Sequence, residues 1–283
     1  STAAASTFML AGLVRWQVLD ELMPMALQGL DEAHWTDAIR QSGQRLQLEG
    51  RLPWGGMAEL QWQQLTEVLI QRRNTFQQLL GQATPNEYPP IEHAVHGCRV
   101  MGMARTVYQQ HSKAFALDWS TSKLLGSKGE LRWDKAVRHW VDHVLLNLQV
   151  KVPTRVVGEN SIIHFQALNA ELALEILQRL VAAWRTACQQ ALPLSLNVGL
   201  AWTMPRDADE SETAHVGRCQ QKAFEAWSAE VQPDVMAVQN RLLALAWPQF
   251  EDMLTHQPQQ WAQQIYGPLI AHTVAGLGED HAI

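Results

Sequence analysis

Gly50-Arg51-Leu52-Pro53-Trp54-Gly55-Gly56-Met57-Ala58-Glu59-Leu60 is a tight turn that runs directly into an amphipathic segment. Pro53 fixes φ, and Gly55 and Gly56 supply a bend without side-chain clash. Apolar residues then recur at helical spacing from Met57 to Leu80: Leu60, Leu65, Val68, Leu69, Phe76 and Leu80 mark one face, and Gly81 is a natural stop. The stretch holds no nucleophile. On its N-terminal side, Leu13 to Gly29 and Asp31 to Leu48 are expected to be helices, the first interrupted near Pro24 and the second capped by Asp31.

Beyond Gly81, Thr84-Pro85-Asn86-Glu87-Tyr88-Pro89-Pro90 cannot continue a helix, and β-like stretches follow at Cys98 to Tyr108 and Ala114 to Trp119. A helix is expected around Lys135 to Leu148. Thr154 to Val157 and Ile162 to Phe165 form a hairpin candidate with Asn160-Ser161 near its turn. Asn169 then caps a helix whose residues Leu172, Ile176, Leu177, Leu180, Val181 and Trp184 form one stripe expected to be buried. The acidic run from Asp207 to Glu212 is expected to be an exposed loop.

Composition is that of a globular chain: 283 residues, 47% hydrophobic and 18% charged, enough for one sizeable core or two small ones. No apolar run approaches the roughly 20 residues that cross a bilayer, and no secretory leader is legible. The three cysteines, Cys98, Cys188 and Cys219, are too far apart for a zinc or redox motif, and a reducing cytoplasm is the simplest context. The start at Ser1-Thr2-Ala3 without a Met is what a piece of a larger protein would show.

Net charge is −6, so any nucleic-acid contact must be local. From Ser122 to Arg138 the five bases Lys123, Lys128, Arg132, Lys135 and Arg138 face only Glu130 and Asp134, an excess of +3. These are the candidate phosphate contacts, with Trp119 and Trp133 as candidate base-stacking rings; a solvated basic face and core tryptophans are the bland alternative. His93, His96, His139 and His143 could meet at a metal, but the HExxH glutamate is absent. Gly126-Ser127-Lys128-Gly129 lacks the earlier glycines and the following Ser/Thr of a phosphate loop, and no serine sits in a G-x-S-x-G elbow.

The opening stretch resembles the G-x-L-P-x-G-x-x-G-E segment of the RecC family, the gamma chain of the exodeoxyribonuclease V (RecBCD) helicase-nuclease, with Ala58 in place of the last glycine. Phe8 to Leu19 is similar to a strand-to-helix entry in the C-terminal region of that family. Collinear similarities follow at Thr154 to Gly158 with Ile163 to Phe165, Ala191 to Trp202, Lys222 to Trp227 and Ile265 to Leu269. The resemblance implies an α/β fold: a PD-(D/E)xK nuclease-like core, a small mixed sheet flanked by helices, over residues 85–283, preceded by an extra helical part over residues 1–84.

Active members of that fold need an acid on one strand and Asp/Glu-x-Lys on the next, to hold Mg²⁺ and position the attacking water. Here Val100 to Arg105 offers Ala104 and Arg105 where the first acid belongs, and Asp118 is followed by Ser120 at the lysine position. Glu130-Leu131-Arg132 is a second register that still lacks the first acid. The resemblance therefore implies a scaffold with no catalytic residues, metal or cofactor of its own. It would dock the other subunits of a RecBCD-like complex and guide or split double-stranded or forked DNA at duplex ends. A divergent Mg²⁺ nuclease using Asp118 and Glu130, or a scaffold without DNA contact, are the competing readings.

Overall fold

The structure is a computed structural model that describes residues 13–27, 32–52, 55–231 and 240–276. Pro53 and Trp54 of the opening turn, Asp31 as a cap and residues 8–12 of the similar N-terminal segment lie outside the described residues. Helices α1 (Leu13–Leu27), α2 (Glu32–Leu48) and α3 (Gly56–Leu80) share a core built on Leu19, Leu22, Trp35, Leu46, Leu65 and Leu69. Leu60 is nearly half exposed and so stands off the expected face of α3. Gly81 ends that helix at φ +53°, its N–H donating to the Gln77 carbonyl at 2.9 Å. The expected interruption at Pro24 does not occur: α1 runs through it. Asp20 and Pro24 are both exposed, so water can satisfy the carbonyl that the missing N–H leaves free.

Six strands form one mixed sheet in the order β1 (Thr84–Tyr88), β4 (Arg105–Gln110), β5 (Lys113–Trp119), β6 (Thr154–Val157), β7 (Ile162–Phe165) and β8 (Thr273–Gly276). Only β5 and β6 are parallel; the other neighbours pair antiparallel. A parallel pair needs a crossover, and α4 (Trp133–Asn147) supplies it. β2 (Glu92–Val95) and β3 (Cys98–Met101) form a separate hairpin. Two expectations change here. The Thr84–Tyr88 break is itself a strand, its Pro85 tolerated because β1 is at the sheet edge. The single stretch Cys98 to Tyr108 is cut at residues 102–104 into β3 and β4.

Asn169 caps α5 (Ala170–Ala187) by accepting from the Leu172 N–H at 2.8 Å. Helices α4 and α5 cover one sheet face around Trp140, Val144, Val156, Phe165, Ile176 and Leu177. Trp184 is 59% exposed and leaves the expected buried stripe, which α5 closes at Val181. The chain finishes with α6 (Leu196–Trp202), α7 (Glu212–Val231), α8 (Arg241–Ala246), α9 (Phe250–Leu254), α10 (Pro258–Ile265) and α11 (Gly267–Ala271) before β8. Trp202, Trp227, Phe250 and Met253 form the core of most of these helices. In the acidic run, Glu210 is not free: Arg218 donates to it from Nε at 2.8 Å and Nη2 at 2.7 Å, and Glu212 already belongs to α7.

His143 ties α4 to the sheet. Its Nε2 donates to the Gln166 carbonyl at 3.0 Å and its Nδ1 accepts from Thr154 Oγ1 at 2.8 Å. Burial pushes its pKa down from 6.5 to about 4, so the unfolded chain takes up a proton that the folded one refuses. Stability is therefore expected to be full above pH 6.5 and to fall as pH drops toward 4, by roughly 2–3 kcal/mol at about pH 4.5. Urea unfolding at about pH 7.5 and 4.5 measures this, and His143→Gln should remove that share of the pH dependence.

Candidate functional site

Successive strand residues point to opposite faces, and this places the chemistry of β4 and β5 under α4. Ala116 packs there with Val107 and Leu146, and Asp118, two residues on, shares that face. Nδ1 of His139 on α4 donates to Asp118 Oδ2 at 2.7 Å, and His139 Nε2 accepts from Arg138 Nε at 3.1 Å. Arg105 of β4 lies across the strand pair, its Nη1 3.6 Å from Asp118 Oδ2 while its Nη2 pairs with Asp142, one turn along α4 from His139. Burial alone would raise the Asp118 pKa. The His139 hydrogen bond, the Arg105 charge and the Trp119 N–H at 2.8 Å outweigh it and hold the carboxyl below its ordinary value.

This is a closed ion network. The Arg105 guanidinium supplies the positive charge that Asp118 needs. The space beside these residues is about 10 Å³, about one water. Ser120, which the resemblance sets against the catalytic lysine, is buried; its N–H donates to the Val157 carbonyl at 2.8 Å and its Oγ accepts from the Ser122 N–H at 3.2 Å. Glu130 accepts from the Lys128 N–H at 3.0 Å and so closes its own turn, in which Gly129 takes φ +82°. These residues do not fit a two-carboxylate Mg²⁺ site. Among the described residues, no group of three or more His, Cys, Asp or Glu side chains is placed to hold a metal.

The basic segment follows β5 as a loop and the first turns of α4. Lys123, Arg132 and Lys135 line a cleft of about 670 Å³, whose opposite wall is Arg15, Leu19 and Met23 of α1 with Val68, Gln71 and Arg72 of α3. Glu159, the acid lining that cleft, is 3.8 Å from Lys123 Nζ. Asp134 is shared by Arg132 at 3.2 Å and Lys135 at 3.1 Å. Lys128 and Arg138 are exposed but do not line the cleft. The two tryptophans are used in packing: Trp119 is half-buried against the α1–α3 core, and Trp133 against the core under α4 and α5. Two further bonds fasten the cleft walls together: Thr121 Oγ1 donates to Asp20 Oδ1 at 2.7 Å, and Arg72 donates to the Gly158 carbonyl.

Comparison with protein families matches the model of the RecC C-terminal domain to residues 2–206. The chain belongs to the RecC C-terminal domain family. Among curated proteins no significant match is found. RecC is a subunit of exodeoxyribonuclease V, the RecBCD complex of DNA repair, so membership ties this RecC C-terminal region to that complex and to its DNA. The match takes in the Asp118 network and both walls of the basic cleft, whereas the similarities noted at Lys222 to Trp227 and Ile265 to Leu269 lie beyond it. The sheet flanked by helices is compatible with the nuclease-like core that the family implies. Among the described residues no helix is long and apolar enough to cross a membrane.

Sequence reasoning about this RecC domain found Asp118 and the basic segment but missed their partners. Arg15 and Arg72 lie within helices α1 and α3 and carry no local signal. His139 and Asp142 stand three apart on α4, a spacing that makes them neighbours on a helix face, yet nothing in the sequence says that this face meets Asp118.

Proposed function

We propose that this RecC C-terminal region is a noncatalytic module of a RecBCD-like helicase-nuclease, one that docks partner subunits and guides or splits DNA at duplex ends. The observation that carries this reading is the Arg105 guanidinium bridging Asp118 and Asp142. A carboxylate already neutralised by a fixed cation and hydrogen-bonded to His139 has little left to offer Mg²⁺, and the other two members of a nuclease triad are absent. The scaffold would then act through its surface. Lys123, Lys128, Arg132, Lys135 and Arg138 give an acidic chain one region able to meet phosphates, and such contacts position DNA without reading its sequence.

The reading is tested by co-purification of the intact chain with its cognate helicase-nuclease and helicase subunits, with and without a forked DNA end. Stable association is the expected result. Failure to associate, with the chain alone cutting DNA, would replace this reading with that of an independent nuclease.

A further inference from the structure

The floor of the basic cleft holds a cation whose charge its surroundings do not balance. Arg72 is only 9% exposed, yet it lines the cleft. One end of its guanidinium donates to the Gly158 carbonyl, a neutral acceptor. Its Nε is shielded from water and has no hydrogen-bond partner among the described residues. Glu159, the acid that acts on it, is already 3.8 Å from Lys123. A buried guanidinium without its own carboxylate is costly, and burial accordingly pushes its pKa down. Around it the lining residues Arg15, Lys123, Arg132 and Lys135 add four more cations, and the acids beside them are two, Glu159 next to Lys123 and Asp134 shared by Arg132 and Lys135, so positive charge remains in excess. An anion of high charge density, with several acceptor oxygens, fits such a donor set better than a single carboxylate does.

We infer that this cleft is a phosphate-binding site, with Arg72 as its anchor and Arg15, Lys123, Arg132 and Lys135 around the bound group. It extends the DNA-handling reading above and rests on that reading only for the source of the phosphate, which is either a nucleic-acid backbone or a free phosphate. Arg15 and Arg72 join the segment after β5 through the fold alone, since Arg72 and Gly158 are 86 positions apart.

Two variants of the intact chain test this: Arg72→Gln at the floor and the double change Arg15→Gln with Lys135→Gln at the rim. Each is titrated with a fluorescent oligothymidylate, with forked DNA and with inorganic phosphate, and thermal unfolding checks the fold. If the source is DNA, the rim variant is expected to bind both DNA probes about 10-fold more weakly at ~0.1 M salt, with the salt slope flatter by about 1.5–2. Arg72→Gln should weaken binding in the same direction. Inorganic phosphate binding that the wild type shows and the variants lose, with DNA binding absent, would uphold the site while refuting the DNA reading. DNA and phosphate binding unchanged in the rim variant would overturn the site and leave the DNA reading standing. Because Arg15 is exposed and Lys135 partly so, the rim variant decides the matter even if Arg72→Gln does not fold.

Discussion

Reversing Lys123, Lys128 and Arg132 to glutamate is expected to weaken binding to a forked duplex on the order of 100-fold at ~0.1 M salt, and to flatten the salt slope by about 2–3. The basis is counterion release: each lost phosphate contact removes just under one released ion, and each glutamate adds repulsion. Lys123 and Arg132 keep 59% and 40% of their side-chain surface exposed, and Lys128 lies at a turn, so the fold should survive the change. Anisotropy titrations at three salt concentrations, with a melting curve as control, measure the effect. An unchanged affinity and slope would reduce the segment to a solvated face.

Arg105→Ala is expected to cost about 2–3 kcal/mol of stability, less than the 3–5 of a wholly unrelieved buried charge because His139 still donates to Asp118. The loss comes from leaving Asp118, which is 14% exposed, without its cation, and from freeing Asp142. A double-mutant cycle separates this from lost packing. In the Arg105→Ala background, Asp118→Asn should recover part of the loss, because it removes the charge that has become uncompensated. Denaturant unfolding of the four proteins reads the coupling. An Arg105→Ala protein as stable as the wild type would mean that the guanidinium does not hold the carboxylate.

Local chemistry explains which elements the sequence revealed. Thr154–Val157 and Ile162–Phe165 are short β-branched and aromatic runs around an Asn-Ser turn, and they occupy the expected bounds. Asn169 and Gly81 act as the cap and stop that their residue types favour. β1 escaped because its pairing is imposed by β4 and its own residues, Pro85 and Asn86 among them, have little strand preference. Trp184 was misplaced because helical spacing locates a face but not where the opposing core ends. For the site, Asp118 was legible as a carboxylate without its catalytic companions. Arg105 was legible on the neighbouring strand but not as the partner of Asp118, and His139 and Asp142 were not legible as partners, since α4 meets the β4–β5 hairpin only through the tertiary crossover. The same holds for the cleft, whose helical wall comes from residues far from the basic segment in sequence.

If the Arg105 guanidinium takes up the Asp118 carboxylate, that carboxylate is not free to hold a metal, and the chain should show no metal-dependent cleavage. Linear duplex DNA incubated with the intact chain and about 10 mM Mg²⁺ or about 1 mM Mn²⁺, concentrations at which weakly held cations occupy carboxylate sites, should remain uncut. Cleavage under either metal that is abolished by Asp118→Ala would contradict the account and establish Asp118 as a metal ligand.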